Sequence, residues 1–316
     1  MSKKVVFQFP GQGSQAVGMG VALAAAHNAA RQVFDEVNDA LGEDLFKLMA
    51  EGPEDEIRLT RNAQPALLAT SMAGLAVLRE QTGKGIADLA SYTAGHSLGE
   101  YAALTASGSL GLADAARLLR LRGESMQNAV PVGEGAMAAI LGADEALIDE
   151  IVTEAGDAGV VQLANDNAPG QIVISGAAGA VEKAMEIAKE KGLRKVIKLP
   201  VSAPFHCSLM SPAAEVMAEA LDGVDFADAL VPVVCNVTAA PETKADALTA
   251  NLVTQVTGQV RWRESLLAMA DDGATHFVEI GTGKVLSGLA KRSLSDIVIA
   301  NLDGPDDLET VLAALS

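Results

Sequence analysis

Aromatic side chains are scarce in this sequence, at 3% of its 316 residues. Proteins that bind single-stranded nucleic acid stack the bases on aromatic rings, so this composition disfavours that class of protein. Positive charge is scarce too, because 23 Lys and Arg stand against 41 Asp and Glu, which gives a formal net charge of −18. A strongly negative chain repels nucleic-acid phosphates and anionic lipids. We therefore expect neither nucleic acid nor a membrane as a partner.

Cysteines and long apolar runs are also few. Cys207 and Cys235 are too few for a disulfide framework, and their spacing from the histidines does not indicate a zinc site. No apolar run reaches the roughly 18 residues that a membrane-spanning helix needs. The N-terminal segment MSKKVVFQFPGQG reaches Pro and Gly too early for a signal peptide. The sequence therefore predicts a cytoplasmic location.

Short apolar runs alternate with amphipathic stretches in both end portions of the chain. The stretches at 62–81 and 112–129 have the spacing of amphipathic helices. Five apolar runs predict strands, namely KKVVFQF (3–9), LASYTAG (89–95), VPVVCNV (231–237), THFVEI (275–280) and DIVIANL (296–302). Such alternation predicts an α/β fold with a parallel sheet that helices cover on both faces.

The middle of the chain, from 135 to 202, has a different pattern. Its segments predict a strand, a helix, two strands joined by a turn that contains Asn167, a second helix and a closing strand over 194–202. This βαββαβ order is that of the ferredoxin-like unit. We therefore expect an inserted ferredoxin-like domain at 133–202 within a large α/β domain made of residues 1–132 and 203–316.

A serine lies between two glycines in the segment TAGHSLGEYAAL, residues 93–104. Gly95, Ser97 and Gly99 fit the G-x-S-x-G elbow, in which glycines make room for a tight turn from strand to helix. The N–H of Leu98 lies at the start of the predicted helix, where it can face a developing oxyanion. The pattern predicts that Ser97 is a nucleophile. A turn of small residues at a helix start is the alternative.

A nucleophilic serine needs a base, and His206 is the preferred candidate among four histidines. It lies in the loop SAPFHCSLM after the predicted insert, and loops on a rigid scaffold often carry chemistry. His276 is the alternative, because with a nearby aspartate it would weakly match the serine–acid–histidine order of α/β-hydrolases. The side chain of His96, adjacent to the serine, is expected to point elsewhere.

Arg122 lies in the middle of the apolar face of the helix predicted at 112–129. A guanidinium keeps its charge inside a protein, so it needs a partner there. That partner is either a buried carboxylate in a structural ion pair or the carboxylate of a ligand. The residues alone leave both alternatives open.

Two glycine-rich segments invite nucleotide-binding interpretations that their other residues do not support. FPGQGSQ (9–15) partly matches the dinucleotide fingerprint, but the acidic residues expected about 20 positions later fall in a helical pattern. We interpret this segment as a loop that brings the Gln12 N–H to an acyl oxygen; a plain tight turn is the alternative. The segment EIGTGKVL (279–286) does not fit a P-loop, because Val278 just before it and Val285 within it stand where Gly and Ser or Thr are needed. We expect a strand-to-helix turn near the pocket.

Six segments, in order along nearly the whole chain, resemble the malonyl-CoA:acyl-carrier-protein transacylase family of fatty acid synthesis. They are FPGQGSQ (9–15), GHSLGE (95–100), LRGESMQ (121–127), NDNAPGQIVISG (165–176), PFHCSLM (204–210) and GTGKVLSGL (281–289). The resemblance implies a hydrolase-like large domain and a ferredoxin-like insert. It also implies Ser97 as nucleophile and His206 as base, with the histidine oriented by the main-chain carbonyl of Gln255.

The resemblance further implies how a substrate is held. The main-chain N–H groups of Gln12 and Leu98 would form the oxyanion hole, Arg122 would hold the free carboxylate of malonyl, and Phe205 matches the residue type that favours malonyl. Residues expected to contact the acyl or pantetheine chain are Met126, Asn165 and Asn167, although the two asparagines fit a turn-forming role equally well.

The implied reaction is a ping-pong transfer of malonyl from CoA to the phosphopantetheine thiol of a holo acyl carrier protein. No metal or cofactor is required, and we expect a monomer. A serine esterase or thioesterase, a non-catalytic carrier-binding module and a transacylase of polyketide synthesis are the alternatives. Basic clusters that could meet the carrier are Lys191, Arg194, Lys195 and Lys198, or Lys284, Lys291 and Arg292.

Overall fold

The computed structural model describes residues 3–201 and 203–316. Ten strands lie in this part of the chain: β1 (Lys4–Phe9), β2 (Tyr92–Gly95), β3 (Gly135–Leu141), β4 (Val161–Ala168), β5 (Gln171–Ala177), β6 (Lys195–Lys198), β7 (Val233–Val234), β8 (Pro241–Glu242), β9 (Ala274–Ile280) and β10 (Val298–Leu302).

Fifteen α-helices lie in the same described ranges. They are α1 (Val21–Ala26), α2 (Asn28–Leu41), α3 (Leu45–Glu51), α4 (Glu54–Arg58), α5 (Thr60–Thr82), α6 (Ile86–Leu89), α7 (Gly99–Ala106), α8 (Leu112–Asn128), α9 (Glu145–Ala155), α10 (Ala178–Glu190), α11 (Ser211–Asp222), α12 (Ala245–Thr257), α13 (Trp262–Asp271), α14 (Val285–Ser293) and α15 (Leu308–Leu315). None of the described helices is both long and apolar enough to cross a membrane.

A six-stranded sheet contains all five strands predicted in the end portions of the chain. Its order is β10-β9-β1-β2-β7-β8, and every pair is parallel except the antiparallel pair of β7 with β8 at one edge. Five of the six residues of β1 are buried. Such a continuous apolar run is typical of a parallel strand that is covered on both faces. The prediction of an α/β fold with a parallel sheet is therefore confirmed.

A four-stranded antiparallel sheet, in the order β4-β5-β3-β6, forms from the middle of the chain. Its elements follow one another as β3, α9, β4, β5, α10 and β6, which is the predicted order. Two boundaries differ. Strand β4 runs to Ala168, so Asn165 and Asn167 are strand residues and a turn-forming role is excluded for both. The predicted closing strand ends at Lys198 instead of 202, and Ser202 lies outside the described residues.

The two sheets have their own apolar cores. The four-stranded sheet packs side chains such as Ile140 and Ile174 against α9 and α10, and Ile148 of α9 belongs to the same cluster. Residues at its other face, including Met137 and Val173, join the main core of the large sheet. An isolated parallel bridge between Asn165 and Val260 also links the two parts. The surface where the two parts meet is where the functional side chains gather.

Candidate active site

Ser97 lies on a sharp turn between the end of β2 and the start of α7. Its φ of 54° is in the left-handed region, which non-glycine residues rarely adopt. A Cβ atom on Gly95 would come within 1.8 Å of the Gly99 carbonyl oxygen, and one on Gly99 would come within 2.3 Å of the Phe9 carbonyl oxygen. Only glycine therefore fits at positions 95 and 99, two residues before and two residues after the serine. This is the steric reason that the G-x-S-x-G pattern indicates.

The imidazole of His206 lies next to this serine. Its Nε2 is 2.7 Å from Ser97 Oγ, and its Nδ1 lies 3.0 Å from the Gln255 carbonyl oxygen and 3.2 Å from the Gly258 carbonyl oxygen. Because two carbonyl oxygens can only accept, Nδ1 carries the proton and Nε2 is free to accept from the serine. Main-chain carbonyls thus orient the imidazole, as the resemblance implies for Gln255.

Burial keeps the His206 imidazole neutral. Desolvation, followed by the nearby positive charge of Arg122, lowers the pKa of His206 from 6.5 to about 3. The backbone of His206 also has a positive φ, of 60°. The serine and its partner are therefore both held by unusual backbone conformations, which concentrate at functional sites.

The alternative base, His276, does not reach the serine. It lies in β9, and its Nδ1 is 2.9 Å from the hydroxyl oxygen of Thr275. The nearby Asp272 instead contacts Lys4 and Tyr92. The serine–acid–histidine order of the hydrolases is therefore not formed with this histidine.

The side chain of His96 points away from the serine, as expected. Its Nε2 lies 2.7 Å from Oδ1 of Asn167, and its ring lies against Trp262 with 5.6 Å between centroids. This pair connects the elbow to strand β4. The sequence did not predict this contact, because the two residues are 71 positions apart and no local pattern pairs them.

The guanidinium of Arg122 is buried and extends to the serine. Its NH1 donates to Gln64 Oε1 at 2.8 Å, and its NH2 donates to Gln255 Oε1 at 2.9 Å and to Ser97 Oγ at 3.2 Å. Within residues 3–201 and 203–316 it forms no ion pair, and its Nε has no hydrogen-bond partner. These hydrogen-bond acceptors are neutral, and the buried Glu100 acts on the Arg122 charge only through space, so no direct structural ion pair is formed among the described residues.

A buried polar network lies beneath the serine and was missed from the sequence. Nε2 of Gln255 donates to the Ser97 carbonyl oxygen at 3.0 Å and to Glu100 Oε2 at 2.7 Å. Asn236 accepts the Ser97 N–H at 2.7 Å through Oδ1. Burial raises the pKa of Glu100 to about 7. Hydrogen bonds from Gln255 and Asn236 have the opposite, smaller effect, because they stabilise the carboxylate. The available signal was weak: Glu100 ends the segment GHSLGE, and Asn236 is a polar residue within the apolar run at 231–237.

A cavity of about 390 Å³ opens beside the serine, between the two sheets. The middle of the chain contributes Met137, Asn165 and the run 199–201 to its wall. Other predicted site residues that line it are Gln12, Leu98, Arg122, Met126, Phe205 and His206. Asn167 is not among the lining residues; its carboxamide contacts His96 instead.

The two residues whose main-chain N–H groups are predicted to form the oxyanion hole, Gln12 and Leu98, both line the cavity with Ser97. Leu98 is the residue just before α7, where the first N–H groups of a helix lack internal partners. Gln12 is on the cavity wall, where its Oε1 accepts a hydrogen bond from Thr60 at 2.9 Å. The N–H of Ser97 is already used by Asn236.

Metal and nucleotide sites find little support in the described part of the chain. No group of three or more His, Cys, Asp or Glu side chains there could hold a metal ion. The EIGTGKVL segment turns β9 into α14. It does not itself line the cavity, but a Cβ on Gly283 would lie 3.4 Å from Ser14, which stands between the lining residues Gly13 and Gln15. The Glu279 side chain accepts the N–H groups of Leu286 and Ser287 at 3.1 and 2.8 Å, so an acidic residue of the chain itself already occupies the start of α14.

Comparison with known proteins assigns the class. The family model for the acyl transferase domain matches residues 6–305. The chain therefore belongs to the acyl transferase family.

Similar proteins carry more specific names. Malonyl CoA-acyl carrier protein transacylase of Bacillus subtilis (strain 168) is 48% identical over 315 residues, which covers 99% of this chain and 97% of that relative. The crystal structure of an acyl-carrier-protein-S-malonyltransferase from Bartonella henselae has 49% identity and a TM-score of 0.96, with 99% of each chain covered. A malonyl-transacylase in complex with a type II PKS acyl-carrier protein has 42% identity and a TM-score of 0.94, covering 98% of this chain and 99% of that chain.

Proposed function

We propose that this chain transfers a malonyl group from CoA to the phosphopantetheine thiol of an acyl carrier protein, through a malonyl ester on Ser97. The observation that carries the proposal is the position of Ser97 Oγ, 2.7 Å from Nε2 of His206 and 3.2 Å from NH2 of Arg122. A base and a fixed cation therefore meet at one nucleophile. Malonyl fits this arrangement, because its thioester carbonyl is attacked by the serine that the base activates and its free carboxylate can pair with the cation.

In the first half-reaction, His206 Nε2 takes the proton of Ser97 as Oγ attacks the thioester carbonyl. The oxyanion accepts hydrogen bonds from the N–H groups of Leu98 and Gln12. As the C–S bond breaks, the imidazolium returns the proton to the thiolate of CoA. The products are CoA and the malonyl ester of the serine.

The second half-reaction reverses these steps with a different thiol. His206 takes the proton of the phosphopantetheine thiol, and the thiolate attacks the ester carbonyl. The C–O bond breaks, Ser97 regains its proton from the imidazolium, and the carrier leaves as its malonyl thioester. No step consumes an external proton or an electron.

Selection of malonyl is assigned to the guanidinium of Arg122, which exchanges its neutral acceptors for the acyl carboxylate in a charge-assisted pair. Phe205 and Met126 supply apolar wall beside it, and Asn165 offers a carboxamide to the acyl or pantetheine chain. For Asn167, which lies against His96, contact with substrate stays a prediction.

The finer description of the fold is also part of this proposal. We assign a hydrolase-like large domain to residues 1–132 and 203–316, and a ferredoxin-like domain to 133–202. The strand order β4-β5-β3-β6 with two helices supports the second assignment. A monomer, a cytoplasmic location and independence from cofactors stay predictions, as does a role in fatty acid elongation.

Intact mass measurement tests the transfer. Incubation with malonyl-CoA should add one malonyl group to the protein, on the peptide of residues 93–104. Addition of holo carrier protein should remove the group and leave it on the carrier. Ser97→Ala should acquire none. Loss of the group to water at a rate that the carrier does not increase would instead indicate an esterase.

A further inference from the structure

The hydrogen-bond ladder between β2 and β7 stops just before the elbow, and one side chain continues it. The register pairs Ala94 with Val234, the last residue of β7. Two residues further on, the Asn236 carboxamide takes the place of a main-chain peptide group. Its Nδ2 donates to the Gly95 carbonyl oxygen at 2.7 Å, and its Oδ1 accepts the Ser97 N–H at 2.7 Å. The carboxamide thus spans the turn on both sides of His96.

The backbone of Ser97 needs such a support. A non-glycine residue in the left-handed region is strained, and it persists only where the surrounding structure enforces it. The carbonyl oxygen of Ser97 accepts hydrogen bonds from Gln255 Nε2 and from the Glu100 N–H, both at 3.0 Å. On the N–H side, Asn236 Oδ1 is the acceptor.

Asn236 is itself fixed from two sides. It is fully buried; its N–H donates to Glu100 Oε2 at 3.0 Å, and its carbonyl oxygen accepts the Arg261 N–H at 3.0 Å. The same carboxylate oxygen accepts Nε2 of Gln255, whose carbonyl oxygen faces Nδ1 of His206. One buried network therefore sets the positions of the nucleophile and of its base together.

We propose that Asn236 is a positioning residue for the nucleophile: its carboxamide clamps the elbow in the conformation that aims Ser97 Oγ at His206. The clamp also engages the serine's own N–H, so the adjacent N–H of Leu98 is the one presented to the oxyanion. This inference rests on the proposed function in one respect, namely that Ser97 is the nucleophile.

Two substitutions test the clamp by different routes. Asn236→Asp keeps the size and an acceptor for the Ser97 N–H, but its ionised form loses the donor to the Gly95 carbonyl oxygen. Asn236→Ala removes both contacts. The first readout is the rate at which a fluorophosphonate labels Ser97, since this probe reacts with an activated serine whatever its acyl preference. The second is kcat and KM for malonyl-CoA, with a melting curve for each variant.

Both variants should label about 10²-fold more slowly than the parent protein, because displacement of a reacting atom by about 1 Å has an effect of that size. We expect kcat to fall by a similar factor while KM for malonyl-CoA changes by less than about threefold, since Arg122 keeps its hydrogen bonds to Gln64 and Gln255. A residue that only stabilises the fold would lower the melting temperature without changing the labelling rate of the folded fraction.

Asn301→Ala is the matched control. Asn301 lies in β10 of the same sheet and donates to the buried Glu279 at 3.1 Å and to Ser287 at 2.6 Å, away from the cavity. It should lower the melting temperature and leave labelling at the parental rate. If the folded Asn236 variants label at the parental rate, the clamp is refuted. Labelling of the parent protein without malonylation would refute the proposed function and leave the clamp standing.

Discussion

Arg122 donates a hydrogen bond from NH2 to Oγ of Ser97 across 3.2 Å, so a permanent cation touches the proposed nucleophile. The arginine is only 2% exposed, and its other two hydrogen bonds go to glutamine oxygens. A buried charge whose partners are neutral interacts strongly with an arriving anion, because the surroundings screen it weakly. An acyl group with a free carboxylate therefore gains more at this site than a neutral acyl group does.

Arg122→Ala should lower kcat/KM for malonyl-CoA by about one to two orders of magnitude. A hydrogen bond to a charged group contributes about 1.5–3 kcal/mol, and each tenfold change in rate corresponds to roughly 1.4 kcal/mol. Transfer of acetyl should fall far less. Arg122→Lys should restore malonyl transfer only in part, since an ammonium group cannot reproduce the planar fork. Parallel loss of both substrates with a large drop in melting temperature would contradict the carboxylate role.

His206→Ala should slow acylation by roughly 10²- to 10⁴-fold, the usual contribution of a general base. The rate of malonyl-serine formation, followed by rapid quench and mass measurement, gives this value directly. His276→Ala is the control, because His276 lies in β9 and its Nδ1 contacts Thr275. An inactive, natively folded His276 variant would show that the proposed base is wrong.

Acylation should stay independent of pH on the acidic side down to about pH 5, the region in which an ordinary histidine gains its proton. The pKa of His206 is lowered to about 3, so the imidazole remains neutral and able to accept a proton throughout this range. The test is the pH profile of kcat/KM for malonyl-CoA, which reports on the free enzyme. A loss of rate with an apparent pKa near 6.5 would contradict it.

Glu100→Gln should change how stability depends on pH. Burial raises the pKa of Glu100 from 4.5 to about 7, so the folded chain holds a proton that the unfolded chain releases at lower pH. Stability contributed by this proton is therefore lost as pH rises through that window, by an amount on the order of 3 kcal/mol. Urea unfolding from pH 5 to 8 should show this decline in the parent protein and a flatter curve in Glu100→Gln. Equal slopes would rule it out.

Reversal of charge at Lys195 and Lys198 should raise KM for the carrier protein and leave KM for malonyl-CoA unchanged. Both lysines are exposed on β6, directly before the residues 199–201 that line the cavity. Lys198 pairs with Glu182 at 2.7 Å, so Lys195→Glu alone should carry more of the effect. Reversal of Lys291 and Arg292 on α14 tests the other cluster. Salt-insensitive transfer by the parent protein, or an unchanged KM for the carrier after both reversals, would exclude a role for either cluster.

Local sequence patterns were sufficient where the hydrophobic pattern of a segment or the chemistry of a single residue decides the local structure. The apolar runs of the end portions all became strands of the parallel sheet, because strands covered on both faces must be apolar throughout. The glycines around Ser97 predicted a tight turn, and the structure shows that a Cβ at either glycine would clash with a main-chain carbonyl group. Arg122 was recognisable as a misplaced charge on an apolar helix face, although its partner was not.

What only the tertiary structure decided is which distant residues meet. Ser97 and His206 are 109 positions apart, yet their reacting atoms lie 2.7 Å apart. The hydrogen bonds of Asn236 with Gly95 and Ser97 likewise follow from packing β7 beside β2, which no local sequence pattern encodes. Sequence patterns fix a residue's chemistry and its place on an element, since propensity and periodicity act over a few positions. Tertiary packing determines the neighbours of a buried carboxamide or carboxylate, because such a group forms its hydrogen bonds with whichever elements pack against it.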